Sequence, residues 1–510
     1  MATASNFHGS SLRGRRSQQS GAVGRACWEV LEDRRLLSFS PATSFPVGTN
    51  PQDVVTADFN NDGQLDLAAT GDGSVSVLLS NGNGSFQPAR NSATGPNTFS
   101  LAAGDFNADG KIDLATANQD LFTDTGDNDV SILLGNGDGT FADAVALNLS
   151  GAYSWSIATG DLNADGKLDL VVTSEDDFLG GYVSVLLGHG DGGFAVTTYG
   201  PYDAQLFSPV LADVSGDGRV DVTVAAWQSN TIKVFLGDGT GALEEPTDFP
   251  TGFVDSYGPN SIDVGDFNTD AVLDLVTTSS DGYVSMLLGS GDGAFQTARS
   301  FAMGNAPGSP TASDVNGDGK LDLVVIDRSS AGAVSVLLGN GQGGLAAPIT
   351  IATGGSPSSL VMADLNGDGR PDAAAANIVS NSVSVLLNDG NWAVQPTPPR
   401  ITVSDVSKAE GKNTSSTSFT FTVSLSAAYD QPVTVSYRTV NGTATSGNDY
   451  TSKSGTITFA PGQTTITITV VVKGDNKRES NETFYLDLFG LSSNALFTKS
   501  RGIGTILNDD

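Results

Sequence analysis

Short apolar segments recur along most of the chain, and each is bounded by glycine, asparagine or aspartate. A typical series is residues 156–160 (SIATG), 168–173 (LDLVVT) and 183–187 (VSVLL), followed by a glycine-rich turn and a weaker fourth segment. No stretch keeps the helical period expected of an amphipathic helix. About four short β-rich segments in each period of about fifty residues predict the four-stranded blades of a β-propeller.

A nine-residue segment marks this period. Its first copy is residues 58–66 (DFNNDGQLD), and six further copies follow at intervals of 47, 56, 52, 53, 48 and 50 residues. Seven copies predict an all-β fold with a seven-bladed propeller over residues 39–395. The last copy has only three apolar segments, and residues 39–45 resemble the missing fourth. We therefore expect the segment before the first copy to complete the seventh blade and so to remove two open edges.

The nine-residue pattern is D-x-N-x-D-G-x-x-D, with side-chain oxygens at positions 1, 3, 5 and 9 and glycine at position 6. Alternating oxygen ligands with a glycine turn are typical of Ca²⁺-binding loops, in which position 7 supplies a backbone carbonyl. The Lys or Arg side chains at position 7 are expected to point outward. The pattern predicts Ca²⁺ as a cofactor, with several ions and up to seven in the propeller. The alternative is a set of solvated Asp-Gly turns.

Two copies depart from this pattern. The fourth copy has Ser215 at position 3, and the fifth has Ala271 in place of the glycine. We expect weaker cation binding in both copies, and the weakest in the fifth. The predicted propeller ligands are Asp58, Asn60, Asp62, Asp66, Asp105, Asn107, Asp109, Asp113, Asp161, Asn163, Asp165, Asp169, Asp213, Ser215, Asp217, Asp221, Asp266, Asn268, Asp270, Asp274, Asp314, Asn316, Asp318, Asp322, Asp364, Asn366, Asp368 and Asp372.

In motif, period and copy number, residues 39–395 resemble the FG-GAP (VCBS-type) repeats of the integrin α-subunit head and of many bacterial surface proteins. The resemblance implies a seven-bladed propeller whose cations lie in loops on one face. It also implies that these ions are mainly structural and that other loops bind the ligand.

A second domain is expected after a proline-rich linker at residues 396–400. Apolar and polar residues then alternate strictly, as at Phe419, Phe421 and Val423. A period of two across several short runs in residues 401–510 predicts an immunoglobulin-like β-sandwich. Acidic residues cluster at the ends of these runs, namely Glu410, Asp449, Asp475, Glu479, Glu482, Asp509 and Asp510.

Elements of this second domain resemble the Calx-beta domain, among them residues 441–444 (NGTA), 482–484 (ETF) and 506–510 (ILNDD). The resemblance covers nearly all of residues 401–510. It implies that the clustered acids bind Ca²⁺ at one end of the sandwich. Strong binders tend to have aspartates where this chain has Gly474 and Asn508. The alternative is a sandwich whose end acids are simply solvated.

Charge and composition exclude several classes of function. The chain has 510 residues, 57 acidic and 25 basic, and a formal net charge of −32. Nucleic acid and anionic membrane surfaces are therefore excluded as main partners. Two histidines and one cysteine leave no basis for His-dependent catalysis or an internal disulfide. No run of eighteen apolar residues predicts a transmembrane segment, whereas peripheral membrane association stays open.

The first 38 residues differ from the rest because they carry six arginines against three acids. Residues 31–38 (LEDRRLLS) resemble an element found near the start of many large bacterial surface proteins. We interpret residues 1–38 as a disordered basic export or processing segment, and a plain disordered tail is the alternative.

Together these patterns predict a calcium-binding, secreted or cell-surface adhesion protein with a protein or glycan ligand. A propeller lectin is the alternative, and a carbohydrate-active propeller enzyme is the third candidate. Every conspicuous carboxylate of the propeller belongs to the repeat, so we expect no catalytic residue and no enzyme activity.

Overall fold

The computed structural model describes residues 38–119, 129–149, 153–176, 180–252, 258–303, 306–392, 399–412, 415–429, 432–492 and 495–509. The predicted N-terminal segment up to residue 37, most of the predicted linker and Asp510 lie outside the described residues. Every regular element in the described ranges is a β-strand, which confirms the all-β prediction. Among these residues there is no helix that could span a bilayer.

Strands β1 to β28 form four-stranded antiparallel sheets, of which the described residues contain seven. In chain order the strands are Thr43–Pro46, Val54–Ala57, Asp66–Gly71, Ser74–Leu78, Arg90–Ala93, Thr98–Gly104, Asp113–Asn118, Val130–Leu133, Val145–Leu147, Tyr153–Gly160, Asp169–Glu175, Gly181–Gly188, Phe194–Tyr202, Leu206–Ala212, Asp221–Ala226, Thr231–Phe235, Thr247–Pro250, Pro259–Gly265, Asp274–Ser279, Tyr283–Leu287, Arg299–Ala302, Pro307–Ser313, Asp322–Asp327, Ala333–Leu337, Ile349–Ala352, Pro357–Ala363, Asp372–Asn377 and Ser382–Leu386.

The first strands of these sheets, β2, β6, β10, β14, β18, β22 and β26, lie side by side around a ring. Each contacts the first strand of the next sheet, and β26 contacts β2. Apolar side chains fill the space between neighbouring sheets, as where Phe59, Leu79 and Leu114 pack together. The sheets are therefore propeller-like, and we call residues 38–392 the propeller region.

The last sheet is completed by the segment that precedes the first repeat. Strand β1 pairs with β28 in the order β1-β28-β27-β26, with Thr43 opposite Val385. The Ser40 amide also donates to the Leu387 carbonyl oxygen at 2.7 Å. Phe39 is fully buried and meets the Trp392 ring edge to face at 5.5 Å. The predicted pairing of this segment with the last repeat is therefore observed.

Glycine-rich turns join the third and fourth strands of the sheets, and they pack against the neighbouring sheet. In the second sheet, Gly139 has a φ of +80° and its amide donates to the Phe59 carbonyl oxygen at 3.0 Å. A Cβ at this position would approach the Leu79 Cδ2 atom to 2.8 Å. Glycine is needed here both for the backbone angle and for the close contact between sheets.

Strands β29 to β37 form a β-sandwich of two sheets, with the orders β34-β31-β29-β36 and β30-β37-β35-β32-β33. Its core contains Phe419, Phe421, Phe459 and Phe484, all fully buried, so the alternating residues of β31 face inward as predicted. The strands are Arg400–Val403, Val406–Ala409, Ser416–Leu425, Val433–Asn441, Ser454–Phe459, Thr465–Lys473, Glu482–Phe489, Leu496–Lys499 and Arg501–Leu507.

Candidate functional site

Each nine-residue loop joins the first strand of a sheet to the second, and its polar side chains bind the loop's own backbone. In the first loop, the Asp62 amide donates to Asp58 Oδ1 at 3.1 Å and to Asn60 Oδ1 at 2.9 Å. The Gly63 amide donates to Asp58 Oδ2 at 2.7 Å. Side-chain oxygens of positions 1 and 3 thus accept hydrogen bonds from the same amide, that of position 5. Because a carboxylate oxygen can accept more than one bond, these contacts leave capacity for a cation.

Position 9 has a different environment, because it is the first residue of the second strand. Asp66 is fully buried. Its Oδ2 accepts from the Phe59 amide at 3.0 Å, and its Oδ1 accepts from the Ser80 amide at 2.7 Å. The same pair of bonds recurs in all seven loops, through Asp66, Asp113, Asp169, Asp221, Asp274, Asp322 and Asp372. Position 9 therefore ties each loop to the end of the third strand, irrespective of any ion.

Burial perturbs the acidity of these aspartates. Desolvation raises the pKa of Asp66, Asp274 and Asp372 to about 6 and that of Asp322 to about 7, although backbone hydrogen bonds oppose the shift. The carboxylates at positions 1 and 5 of the same loop raise these values further by repulsion. A cation beside the loop would relieve this repulsion.

The basic residue at position 7 does not point outward, contrary to the sequence prediction. Lys111 Nζ lies 3.0 Å from Asp109 Oδ2 in the second loop. The same contact, between positions 7 and 5, recurs in four other loops at 3.0–3.6 Å. The flexible side chain folds back because the nearest charge of opposite sign is only two residues away. A cation at position 5 would have to displace this partner or share the carboxylate with it.

The two divergent loops differ from each other. In the fourth loop, the Ser215 hydroxyl lies 3.4 Å from Asp213 Oδ1. In other loops the asparagine at position 3 accepts from the position 5 amide, but the shorter Ser215 does not reach that amide, which belongs to Asp217 here. In the fifth loop, Ala271 keeps the standard bonds, including its amide to Asp266 Oδ2 at 2.8 Å, but has a φ of +66°. The fifth loop therefore keeps its shape at the cost of strain, because alanine disfavours positive φ.

At one end of the sandwich, Asp449, Glu479 and Glu482 converge. Ligand oxygens of these three side chains all lie within 4.8 Å of one another, the only such trio of His, Cys, Asp or Glu in the described residues. The Asp449 Oδ2 accepts from the Thr445 amide at 2.7 Å. Lys477 Nζ forms an ion pair with Glu479 Oε1. The three side chains are half-buried, with Asp449 in a turn, Glu479 in a loop and Glu482 at the start of β35.

Further acids surround this trio. Burial and then repulsion from Asp475, Glu479 and Asp509 raise the pKa of Glu410. Burial and then repulsion from Asp449, Glu479 and Glu410 raise the pKa of Glu482. The structure therefore brings together all six described acids that the sequence predicted for this end. Hard carboxylate oxygens in such a group are the ligands that Ca²⁺ prefers.

A ring of side chains at the propeller axis was missed by the sequence analysis. The residue five positions before each loop's first aspartate is Ser in six copies and Asp in one, a signal that the repeat alignment contains. Asp53 accepts from the Ser359 hydroxyl at 2.6 Å and from the Ser100 hydroxyl at 2.9 Å, which links three sheets. The ring consists of Asp53, Ser100, Ser156, Ser208, Ser261, Ser309 and Ser359.

Comparison with known families agrees with this architecture. The model of the FG-GAP-like repeat matches more than half of the chain, in overlapping segments at residues 58–116, 118–172, 163–224, 213–277, 266–325 and 314–375. The chain belongs to the FG-GAP-like repeat family. The model of the Calx-beta domain matches residues 401–509. Six FG-GAP-like repeats followed by a Calx-beta domain confirm both resemblances, and we now call the nine-residue segments the FG-GAP loops.

Parts of the chain are also similar to solved structures. The apo-form Calx CBD1 domain is 23% identical over 22% of this chain and 98% of its own, with a TM-score of 0.19. The calcium binding domain CBD12 of CALX1.1 is 30% identical over 18% of this chain and 40% of its own, with a TM-score of 0.18. Raptor of Chaetomium thermophilum is 14% identical over 69% of this chain and 29% of its own, with a TM-score of 0.46. No curated protein matches the chain.

Proposed function

We propose that this protein is a calcium-binding interaction protein of the cell surface or the extracellular space. The observation that carries the proposal is the convergence of Asp449, Glu479 and Glu482, with three further acids around them, at the end of the Calx-beta domain. The match of residues 401–509 to the Calx-beta domain model supports the same assignment. Ca²⁺ would neutralise charges that otherwise repel one another across a few ångströms.

The FG-GAP loops are the second part of the proposal. Their oxygens at positions 1, 3 and 5 are of the hard type that Ca²⁺ takes, and each loop is already shaped by its own amides. In this proposal the ions stabilise the propeller region and take no part in a reaction. Ligands would bind elsewhere, and the protein would act by binding rather than by catalysis.

A surface or extracellular location is part of the same proposal. FG-GAP-like repeats and Calx-beta domains are typical of extracellular or membrane-associated proteins. Ca²⁺ at the roughly millimolar level of such compartments fills even weak oxygen sites. An adhesion role, with a protein or a glycan as ligand, fits a rigid ring that presents many loops.

The test is to measure bound Ca²⁺ and thermal unfolding of the full chain, with and without chelator. We expect about five or more ions per chain, and a large fall in melting temperature when they are removed. The variant Glu482→Gln should lose ions from the Calx-beta end alone. Unchanged melting and no bound metal would contradict the proposal, and they would leave the acids with a role in solubility.

A further inference from the structure

The propeller region encloses a cavity of about 810 Å³ on its axis, which we call the axial cavity. It lies beside the residues that precede and begin the first strands, such as Phe99 and Ser100 in β6, whereas the FG-GAP loop at Asp105 follows the end of that strand. A strand rises about 3.3 Å per residue, so the cavity and the loops lie at opposite ends of the first strands. The volume is within the range of small-molecule sites, roughly 300–1,000 Å³.

One side of the axial cavity is aromatic. Trp155 of the third sheet meets Phe99 of the second at 5.1 Å and Phe207 of the fourth at 5.3 Å, both edge to face. Trp227, in the turn after β15, also lines the cavity. All four rings are half-buried, so part of each is open to the cavity. Phe99, Trp155 and Phe207 occupy the same repeat position, which is not aromatic in the other four copies, so the aromatic side belongs to three neighbouring repeats.

The opposite side carries a cation. Arg328, between β23 and β24, lies against the Gly308 backbone, and its Nη2 donates weakly to the Ser358 carbonyl oxygen at 3.4 Å. The residue is accessible to solvent, although the surrounding cavity walls partly desolvate the guanidinium and lower the pKa of Arg328, and it forms no ion pair within the described residues. Two acids line the cavity and have other partners. Asp53 accepts from the hydroxyls of two serines of neighbouring sheets and from a backbone amide, and Asp263 accepts from a backbone amide of its own strand and one of the next sheet.

We propose that the axial cavity binds a carboxylated sugar, with Arg328 holding the carboxylate and the aromatic side receiving the ring face. Guanidinium pairs with carboxylate through two parallel hydrogen bonds, and the C–H face of a pyranose packs on aromatic rings. The hydroxyls of Ser156 and Ser309 accept the amides of Ser208 and Leu360, and their O–H donors are available to the sugar hydroxyls. The proposal deepens the interaction role above and rests on it only for the existence of a ligand.

Charge and shape argue for this occupant over others. A neutral sugar would leave Arg328 without its anion, and an acidic peptide would lack a flat apolar face for Trp155 and Trp227. In a chain of net charge −32, an anion is attracted only where a local cation is exposed, so Arg328 should select the orientation of the ligand. The volume of the cavity is too small for a folded protein domain, so a sugar residue or a short oligosaccharide would enter it.

The test is calorimetric titration of the full chain with trigalacturonate, and with maltotriose as the neutral control, in Ca²⁺ and again in chelator. We expect one trigalacturonate site per chain, present in both buffers. Arg328→Gln and Trp155→Ala should each weaken binding about tenfold or more, and maltotriose should bind at least about tenfold more weakly. Arg90→Gln, outside the cavity, is the matched arginine control and should have no effect.

Several results would overturn this assignment. They are equal binding of maltotriose, unchanged binding by Arg328→Gln, equal binding of triaspartate, or no binding of trigalacturonate. Trp155 packs between two rings, so its variant is compared by thermal unfolding first, and Arg328→Gln decides the matter if Trp155→Ala is unfolded. If trigalacturonate does not bind but Ca²⁺ stabilises the protein, the cavity assignment alone is wrong. If trigalacturonate binds but Ca²⁺ does not stabilise the protein, the calcium proposal alone is wrong.

Discussion

The FG-GAP loops and the end of the Calx-beta domain are both rich in acids, but they hold those acids in different ways. In a loop, the carboxylates accept backbone amides, and in five loops a Lys or Arg also faces position 5. In the Calx-beta trio, carboxylates face one another, with Lys477 as the nearby cation. The loops are therefore shaped without an ion, whereas the trio is a repulsive arrangement until a cation binds.

This difference teaches that the number of acids does not measure the need for a metal. Only the Calx-beta trio brings three acidic side chains within 4.8 Å in the described part of the chain, although the loops hold many more aspartates. The proposed ions would then have unequal effects. At the Calx-beta end an ion removes repulsion, and in a loop it relieves some repulsion and adds bonds to a structure that is already formed.

The largest effect is expected from position 9 of a loop. Asp66→Ala leaves two buried amides without acceptors, so we expect it to lower the free energy of unfolding by about 3–5 kcal/mol. Asp62→Ala, at the exposed position 5, is the matched control and should cost less than about 1 kcal/mol. Denaturant unfolding in chelator measures both. Equal losses would show that position 9 has no special structural role.

Mild acid should stabilise the protein in chelator. Desolvation raises the pKa of Asp66 to about 6 and that of Asp322 to about 7, so these groups bind protons more tightly when folded than unfolded. Their contribution to stability is fully present below the unfolded value near 3.8 and is lost as pH rises through 6 to 7.

We therefore expect the melting temperature in chelator to rise by a few degrees from pH 7.5 to pH 5.5. In Ca²⁺ the rise should be smaller, because the ion requires ionised carboxylates. Scanning calorimetry at several pH values checks both curves. A melting temperature that falls steadily with acid in chelator would be the contrary result.

Without Ca²⁺, removal of one negative charge should stabilise the Calx-beta end and destabilise an FG-GAP loop. Glu482→Gln relieves repulsion from Asp449 and Glu479, and we expect it to stabilise the apo protein by about 0.5–1 kcal/mol. Asp62→Asn weakens a bonded loop and should destabilise by a similar amount. Thermal unfolding in chelator compares the two variants. The contrast between the regions fails if both shifts have the same sign.

An equally small effect is expected at the strained fifth loop. Ala271→Gly removes the strain of a positive φ, and we expect a gain of about 0.5–1 kcal/mol in the free energy of unfolding. Gly110→Ala, at the same position of the second loop with open space around its Cβ, should lose a comparable amount. Denaturant midpoints measure both changes. No change in either variant would show that loop conformation contributes little to stability.

Much of the fold could be predicted because it repeats. The strands, the all-β class and the pairing of β1 with the last repeat follow from segments that recur in the amino-acid sequence. The roles of individual acids could not be predicted from the repeat, because Asp58 and Asp66 are the same residue type within one motif. Asp66 is buried because it already belongs to β3, and the apolar residues that follow it were the available signal.

Other features depend on contacts that no local pattern reports. The return of Lys111 to Asp109 depends on side-chain flexibility rather than on residue type. Arg328 and Trp155 line one cavity although they lie in different repeats, and the residue types at both repeat positions vary from copy to copy. The number of bound ions and the ligands at each site stay predictions.

The pairing of β1 with β28 also determines how long β1 stays unpaired while the chain is synthesised. Thr43 leaves the ribosome long before Val385, its partner, and translation at about 5–20 residues per second separates the two by roughly 20–70 s. The ring cannot close during that interval, so two sheet edges wait unpaired. The waiting strand is only four residues long and ends at Pro46, features that discourage pairing with a wrong edge. The strand that closes the ring therefore also has features that reduce wrong pairing while it has no partner.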